Sequence, residues 1–271
     1  MKLKSFCAYI IVFAFCFSSA FAQSAKKFES YTVGETLVYE AKFSKAVFRG
    51  IAVADLNFSV ERALNNQDFL IKAQAKSKGT IAKLFNYKFY QDIQSIVDDK
   101  NFSILKTVKR DEQKERRRDS TAVFNYKNRE VTYIESDPND TARAPRIVAS
   151  SIETGTQDMV TGIYTLRRLP LAVGKTFEVS ISDSGLVYKV PVRVTAREEI
   201  KSILGKTSCF RVEPEIFGEN RLIEQKGSMV IWITDDSRRL PVRSQINSNI
   251  GRVEVKLKSF DYNSAASLKI K

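Results

Sequence analysis

The stretch KGSMVIWITDDSRRLPVRSQINSNIGRVEVKLKSF (residues 226–260) contains three β-rich runs, at 226–234, 240–248 and 252–260. The runs are separated by DDSRR and NIG, which are rich in turn-forming residues. In the third run apolar and polar residues alternate, which is typical of a strand with one face in solvent. The stretch therefore predicts a three-stranded antiparallel meander.

The first of these runs is apolar on both faces. Met229, Ile231 and Ile233 fill one face, while Val230 and Trp232 fill the other. A strand of this kind has to be covered on both sides. We therefore predict that it is a central strand of the sheet.

The register of the second and third runs depends on the loop between them. A plain three-residue loop would place Ile246 opposite Glu254 and mix the two faces. Either an even-length loop or a β-bulge at Gly251 would place Ile246 on the face of Val253. Because glycine adopts positive φ without strain, we predict the bulge at Gly251.

Residues 1–22 have the pattern of a signal peptide. A basic start precedes an apolar run over residues 6–17, and the small residues Ala20 and Ala22 mark a cleavage site. Residues 23–271 are then predicted to form a single domain, with no later apolar run of about 18 residues that could span a membrane. The expected location is the periplasm.

The chain is basic, with a formal net charge of +13 and no histidine. Loss of the two lysines in the predicted leader leaves 42 basic and 31 acidic residues, a net charge of +11. In an exported protein such a charge favours an envelope lipid, lipopolysaccharide or an acidic glycan as partner, and not a nucleic acid. Solubility alone is the alternative explanation.

The residue types present exclude several chemistries. Without histidine, the usual Ser and Cys triads and most zinc sites are ruled out. Cys209 lies in an apolar strand context and is predicted to be a buried core residue. Asp235 and Asp236 are explained by a turn, and Glu213 and Glu215 are a weak candidate for an acid and base pair. We therefore predict no catalytic residue, no cofactor and no metal.

Residues 104–126 contain the polar run RDEQKERRRDS between apolar ends. This pattern is typical of a long hairpin exposed to solvent. An alternative interpretation is a cationic patch that binds phosphates or carboxylates. That patch would consist of Lys109, Arg110, Lys114, Arg116, Arg117 and Arg118.

Residues 157–168 are predicted to form the only helix after the leader, with Thr156 or Asp158 as N-cap and Pro170 beyond its end. Its apolar residues are predicted to pack on the sheet: Met159, Ile163 and Leu166, with Val160 beside them.

The rest of the chain predicts about a dozen strands and one long loop at 136–149. The fold class is therefore all-β with one short helix, formed by a single long, strongly curved antiparallel sheet that resembles a half-barrel or open barrel. Aromatic surface beside guanidinium groups can hold sugars and amphiphile headgroups. The candidate ligand-binding residues are Trp232, Arg167, Arg168, Arg238, Arg239 and Arg243.

Five stretches, in order, carry a resemblance to a known family. They are GETLVYEAKF (34–43), RGIAVADL (49–56), DMVTGIYTLRRLPLAVGKTF (158–177), LGKTSCFRVEP (204–214) and IWITDDSRRLPVR (231–243). Together they resemble the exported family called domain of unknown function 3108. The resemblance implies a Gram-negative envelope protein with a curved antiparallel sheet, and it supplies no catalytic residue.

Three functions are compatible with these observations. The first is a non-catalytic envelope protein that binds or carries an amphiphile or acidic glycan inside the curled sheet. The second is a scaffold that binds an envelope protein through a sheet edge or the basic hairpin. The third is a glycan-cleaving enzyme, which would need two carboxylates about 5–9 Å apart in one cleft.

Overall fold

A computed structural model describes residues 31–79, 83 and 88–262 of the protein. The predicted signal peptide and its cleavage site lie outside the described residues. In the described part, fourteen strands form one antiparallel sheet in the order β8-β7-β6-β5-β4-β3-β2-β1-β14-β13-β12-β11-β10-β9. The strands are β1 (Thr36–Lys45), β2 (Phe48–Arg62), β3 (Phe69–Ser77), β4 (Phe89–Val97), β5 (Ile104–Gln113), β6 (Arg116–Asn125), β7 (Glu130–Ser136), β8 (Arg146–Ser151), β9 (Thr176–Asp183), β10 (Leu186–Ser202), β11 (Gly205–Pro214), β12 (Gly227–Thr234), β13 (Pro241–Ser248) and β14 (Gly251–Asp261).

The chain forms this sheet as two meanders joined along one line. Strands β1 to β8 follow one another outward, and β9 to β14 return from the opposite edge until β14 pairs with β1. The helix α1 (Met159–Arg168) connects the two outer edges, β8 and β9. A strand pairing between the first and last strands thus joins the two halves of the sheet.

The two outer edges lie against each other although they are not paired. A Cβ atom at Gly185, in the turn after β9, would lie 2.7 Å from the Cβ atom of Val148 in β8. Gln157, just before α1, covers the edge of β9 through a parallel bridge to Ile181. The sheet is therefore curled around the helix but is not closed into a barrel, which confirms the predicted fold class.

The meander at 226–260 is confirmed. β12 lies between β11 and β13, and β13 pairs with β14. Ile231 and Ile233 belong to one buried cluster, while Val230 and Trp232 belong to another. The prediction of a central strand that is covered on both faces is therefore correct.

The predicted bulge at Gly251 is wrong, because the even-length alternative is the one adopted. Ser248 pairs with Gly251 and Ile246 with Val253, so the loop has two residues and the register is regular. Gly251 has φ +138°, and a Cβ atom there would lie 2.6 Å from the ring of Phe43. Glycine is needed at this position because of its backbone angle and its close contact with β1.

Helix α1 begins after Asp158, which forms a capping box with Thr161. Its buried residues include Val160, Tyr164 and Leu166. The predicted packing face is wrong for Met159 and Ile163: Met159 is 42% exposed and Ile163 is only half-buried. The prediction is correct for Leu166, which packs with Val179 and Val192. The helix lies inside a curled sheet, so Met159 and Ile163 face a space and not a packed strand.

Two further predictions concern the first half of the sheet. The hairpin at 104–126 is confirmed as β5 and β6, but the predicted full exposure is wrong. Both strands pair with further neighbours in the sheet, and Thr107, Asp111 and Ser120 are buried. The long loop predicted at 136–149 is wrong at its end, because β8 begins at Arg146. Pro138 and Pro145 suggested a loop throughout, but Pro145 precedes the strand, where its missing N–H is tolerated.

Candidate functional site

An apolar cavity of about 290 Å³ lies between α1 and the central strands β1, β2, β12, β13 and β14. From the helix it is lined by Met159, Ile163, Tyr164 and Arg167. From the sheet its apolar lining includes Leu37, Leu56, Phe58, Met229, Ile231 and Ile246. The cavity is the space that the curled sheet leaves beside the helix.

The local sequence explains why the cavity is apolar. Met159 and Ile163 are four residues apart and so lie on one side of the helix. Met229 and Ile231 are two residues apart on β12 and so share one face of the sheet. Ser244, which pairs with Ile231, is a small residue in the floor and leaves room there.

The charged residue in the wall of the cavity is Arg167, which forms an ion pair with Glu35. Arg167 Nη1 and Nη2 donate to the two carboxylate oxygens of Glu35 at 2.6 and 2.7 Å. The two side chains are only 1% and 0% exposed. Burial lowers the pKa of Arg167, but its hydrogen bonds to Glu35 outweigh this effect and raise the pKa above its ordinary value. Arg167 therefore stays charged and doubly paired.

Two tyrosines beside this pair also line the cavity. Burial raises the pKa of Tyr39 and of Tyr164 well above the ordinary value, so both hydroxyls remain neutral. The guanidinium of Arg167 lies 5.1 Å from the ring centre of Tyr164. Apart from the matched Glu35–Arg167 pair, the wall is uncharged.

The structure does not leave the predicted arginines as a free cationic cluster. Arg167 lines the cavity but is bound to Glu35, as described above. Arg238 donates to Asp236 at 2.5 and 2.9 Å, and Arg239 donates to Asp235 at 3.5 Å. These acids were predicted as turn residues, and their turn brings them within reach of the arginines that follow.

The carboxylates and guanidiniums of this turn affect each other's protonation. Burial alone would raise the pKa of Asp236, but hydrogen bonds from Arg238 and Thr234 outweigh it and lower the pKa. Burial lowers the pKa of Arg239, against the attraction of Asp235 and Asp236. The turn is thus a local charge network.

The other three predicted residues also have partners. Trp232 donates its indole N–H to Glu198 at 2.8 Å. Arg243 pairs with Glu254, and its guanidinium lies 4.9 Å from the ring centre of Trp232. Arg168 lies 4.3 Å from the ring centre of Phe102. Among the six predicted residues, only Arg167 lines the apolar cavity, and its fork is occupied by Glu35.

The carboxylates considered for catalysis are bound to arginines. Glu213 accepts from Arg211 at 2.9 Å, and Glu215 pairs with Arg193 at 3.2 Å. Burial raises the pKa of the Cys209 thiol to about 12, so the thiolate form is negligible at neutral pH. Cys209 is buried, as predicted.

A second space of about 60 Å³ lies beside the N-terminus of α1 and between β4–β7 and the β9–β10 turn. Apolar side chains, among them Ile93, Ala122 and Phe124, form much of its lining, and polar side chains form the rest. We call it the polar chamber. Its polar lining includes Lys109, Ser120, Tyr133, Asp158, Ser182 and Asp183. Sequence reasoning missed it as a site, although the two-residue period of β5 does place Thr107 and Lys109 on the same face.

Comparison with known protein families shows which family the chain belongs to. The family described as Protein of unknown function (DUF3108) matches residues 38–258. The chain belongs to this family. The resemblance seen in the sequence is therefore confirmed, and no curated protein shows a significant match to this DUF3108 member.

A solved structure from another family shares the fold. A beta-barrel-like protein of domain of unknown function 1849 from Brucella abortus superposes with a TM-score of 0.58 at 10% identity, covering 86% of this chain and 99% of that one. A DUF1089 family protein from Pseudomonas aeruginosa has a TM-score of 0.39 at 12% identity, covering 73% of this chain and 92% of that one. The first similarity supports the open-barrel architecture. None of the helices in the described residues has the length and apolar character needed to cross a membrane.

Proposed function

We propose that this DUF3108 protein is a non-catalytic envelope protein that binds the apolar chain of an amphiphile between α1 and the sheet. The observation that carries the proposal is the apolar cavity of about 290 Å³. Its volume is close to the lower end of the range of about 300–1,000 Å³ that is usual for ligand sites. A space of this size with an apolar lining favours an apolar occupant over water.

The charge distribution favours a hydrocarbon chain over a charged group as the occupant of the cavity. The one charged residue that lines the cavity, Arg167, is already bound to Glu35 at 2.6 and 2.7 Å. An anion placed there would compete with Glu35 for the same guanidinium and would have to lose its water. An acidic glycan is therefore a poorer fit to the cavity than a hydrocarbon chain.

The periplasmic location is part of the same proposal and rests on the pattern of residues 1–22. A binder of amphiphiles in that compartment would shield their chains from water. The absence of histidine and the pairing of Glu213 and Glu215 with arginines support a non-catalytic role.

The test is binding of N-phenyl-1-naphthylamine, a neutral apolar dye that fluoresces when it leaves water. Ser244 lies in the cavity floor opposite Ile231 and Val255, so Ser244→Trp should fill the space. We expect the wild-type protein to bind the dye and the variant to lose at least about tenfold in affinity, about 1.4 kcal/mol.

The matched control is Ser259→Trp, which adds the same ring to an exposed serine of β14. It should bind the dye as the wild type does. Equal binding by both variants, or no binding by the folded wild type, would contradict the proposal.

A further inference from the structure

The apolar cavity and the polar chamber share one lining residue, Met159. Met159 is the first residue of α1 and is 42% exposed, so its flexible side chain is not fixed by close packing. If the proposed function holds, a chain in the cavity can continue past Met159 into the chamber. The chamber is then the place for the polar head of the amphiphile.

Lys109 is the available hydrogen-bond donor of the chamber. It is half-buried on β5, directly opposite Ser120 of β6. Its backbone pairs with β4 and β6, but among the described residues no side-chain hydrogen bond or ion pair of Lys109 is found. By contrast, four arginines of the same hairpin have acidic partners. The pairs are Arg110 with Glu112, Arg116 with Asp111, Arg117 with Asp119, and Arg118 with Asp137.

Two carboxylates also line the chamber, and they differ in how far their oxygens are used. Asp158 accepts from the backbone N–H groups of Val160 and Thr161 and from three hydroxyl groups, including Thr107 at 2.6 Å. Asp183 accepts a hydroxyl from Ser184 at 3.2 Å. Asp183 is thus the carboxylate with acceptor capacity left.

These groups define which headgroup the chamber would take. The oxygens of Asp158 already accept five hydrogen bonds beside the positive end of α1, so the charged groups left for a ligand are Lys109 and Asp183. An anionic head would be repelled by Asp183, and a cationic head would be repelled by Lys109. An uncharged hydroxyl-bearing head can accept from Lys109 and donate to Asp183 at once. The volume of about 60 Å³ has room for roughly four waters at about 15 Å³ each, so the bound part of the head is small.

We propose that the polar chamber holds a small, uncharged, hydroxylated headgroup, of the kind that a monoacylglycerol carries, between Lys109 and Asp183. This inference rests on the proposed function and adds to it the orientation and headgroup class of the ligand. The chain lies in the apolar cavity, and the hydroxyl groups lie beyond Met159.

The test is displacement of bound N-phenyl-1-naphthylamine by 1-monododecanoylglycerol and by dodecanoate, which differ only in the head. We expect the glycerol ester to displace the dye from the wild-type protein at a concentration at least about tenfold lower than dodecanoate does. Lys109→Gln and Asp183→Ala should each remove most of this preference while the dye still binds normally.

The control is Lys106→Gln, which removes a lysine from the exposed side of the same strand and should keep the preference. Retained dye binding shows that each variant is folded. Equal displacement by the two compounds, tighter binding of dodecanoate, or a preference that survives both chamber variants would overturn the headgroup inference alone. Failure of the dye to bind the wild type would instead overturn the proposed function.

Discussion

The pairing of Arg167 with Glu35 is the clearest case in which single residues hold this fold. Removing one partner leaves an unpaired charge in a site that is closed to water, which typically costs 3–5 kcal/mol. We expect Glu35→Gln to lower the free energy of unfolding by about this amount, measured by urea denaturation.

The control for this prediction is Glu61→Gln. Glu61 pairs with Lys72 at 2.7 Å, but both side chains are substantially exposed. Its loss should cost less than about 1 kcal/mol. Similar losses in the two variants would show that the buried pair is no stronger than a surface pair.

The arginines also show how far the sequence determines the site. The contact of Arg238 with Asp236 spans two residues, and the turn predicted there already places the two side chains together. The contact of Arg167 with Glu35 spans 132 residues, and no local pattern reveals it. A basic residue can be found in the sequence, but its distant acidic partner cannot. The sequence therefore predicts a free cationic cluster, whereas in the structure Arg167 is bound to Glu35.

A second residue-scale prediction concerns Asp236 and pH. Its pKa in the folded protein is lowered by Arg238 and Thr234 against the effect of burial. A lowered pKa means that its stabilising contribution is complete above the unfolded value, near pH 4, and is lost as the pH falls through the folded value. We expect Asp236→Asn to be less stable than the wild type at pH 7, with a difference that shrinks toward pH 3. Urea denaturation across this range is the measurement, and a constant difference would contradict it.

At the scale of elements, the sequence predicts that helix α1 exists, but it does not predict what surrounds the helix. Its cap, its length and its end after Arg168 follow from Asp158, the apolar period and Pro170. The helical spacing of the apolar residues does not show which of them face packed strands. In a curled sheet several sides of the helix face protein, and Val160 is buried while Ile163 lines a cavity.

This difference between the two sides of α1 can be measured with one substitution at two positions. Val160 packs in a buried cluster with Ile71 and Val97, so Val160→Asp should cost several kcal/mol, on the order of 3–5. Ile163→Asp places the carboxylate at an open space and should cost markedly less. Thermal unfolding of the two variants provides the comparison, and equal losses would mean that the cavity is closed in solution.

At the scale of the whole molecule, the approximate number and the character of the strands could be predicted from the sequence, but the order in which they pair could not. The alternation in β14 predicts a half-exposed strand, and nothing local in it specifies that its partner is β1, about two hundred residues earlier. Curvature was expected from the length of the sheet alone. The position of the open seam, between β8 and β9, results from the helix that connects these two edges.

The distance between the two outer edges of the sheet depends on how closely the β9–β10 turn approaches β7 and β8. A substitution at Gly185 tests this contact. Gly185 has φ +84°, and a Cβ atom there would lie 2.7 Å from Val148 Cβ and 2.8 Å from Tyr133 Cβ. Gly205, in the next turn, has φ +81° but nothing within 4 Å of its Cβ position. Both Gly→Ala substitutions incur a left-handed backbone cost of about 1–2 kcal/mol, whereas only Gly185→Ala also forces the two edges apart.

We therefore expect Gly185→Ala to be less stable than Gly205→Ala by about 1–3 kcal/mol, the usual cost of overpacking. Hydrogen exchange should show faster exchange in β7 and β8 for Gly185→Ala only, because these strands move away from the turn. If the two variants lose equal stability and exchange alike, the edges are not in contact in solution. The polar chamber, which Gly185 also lines, would then be open on that side and could not select a headgroup by size.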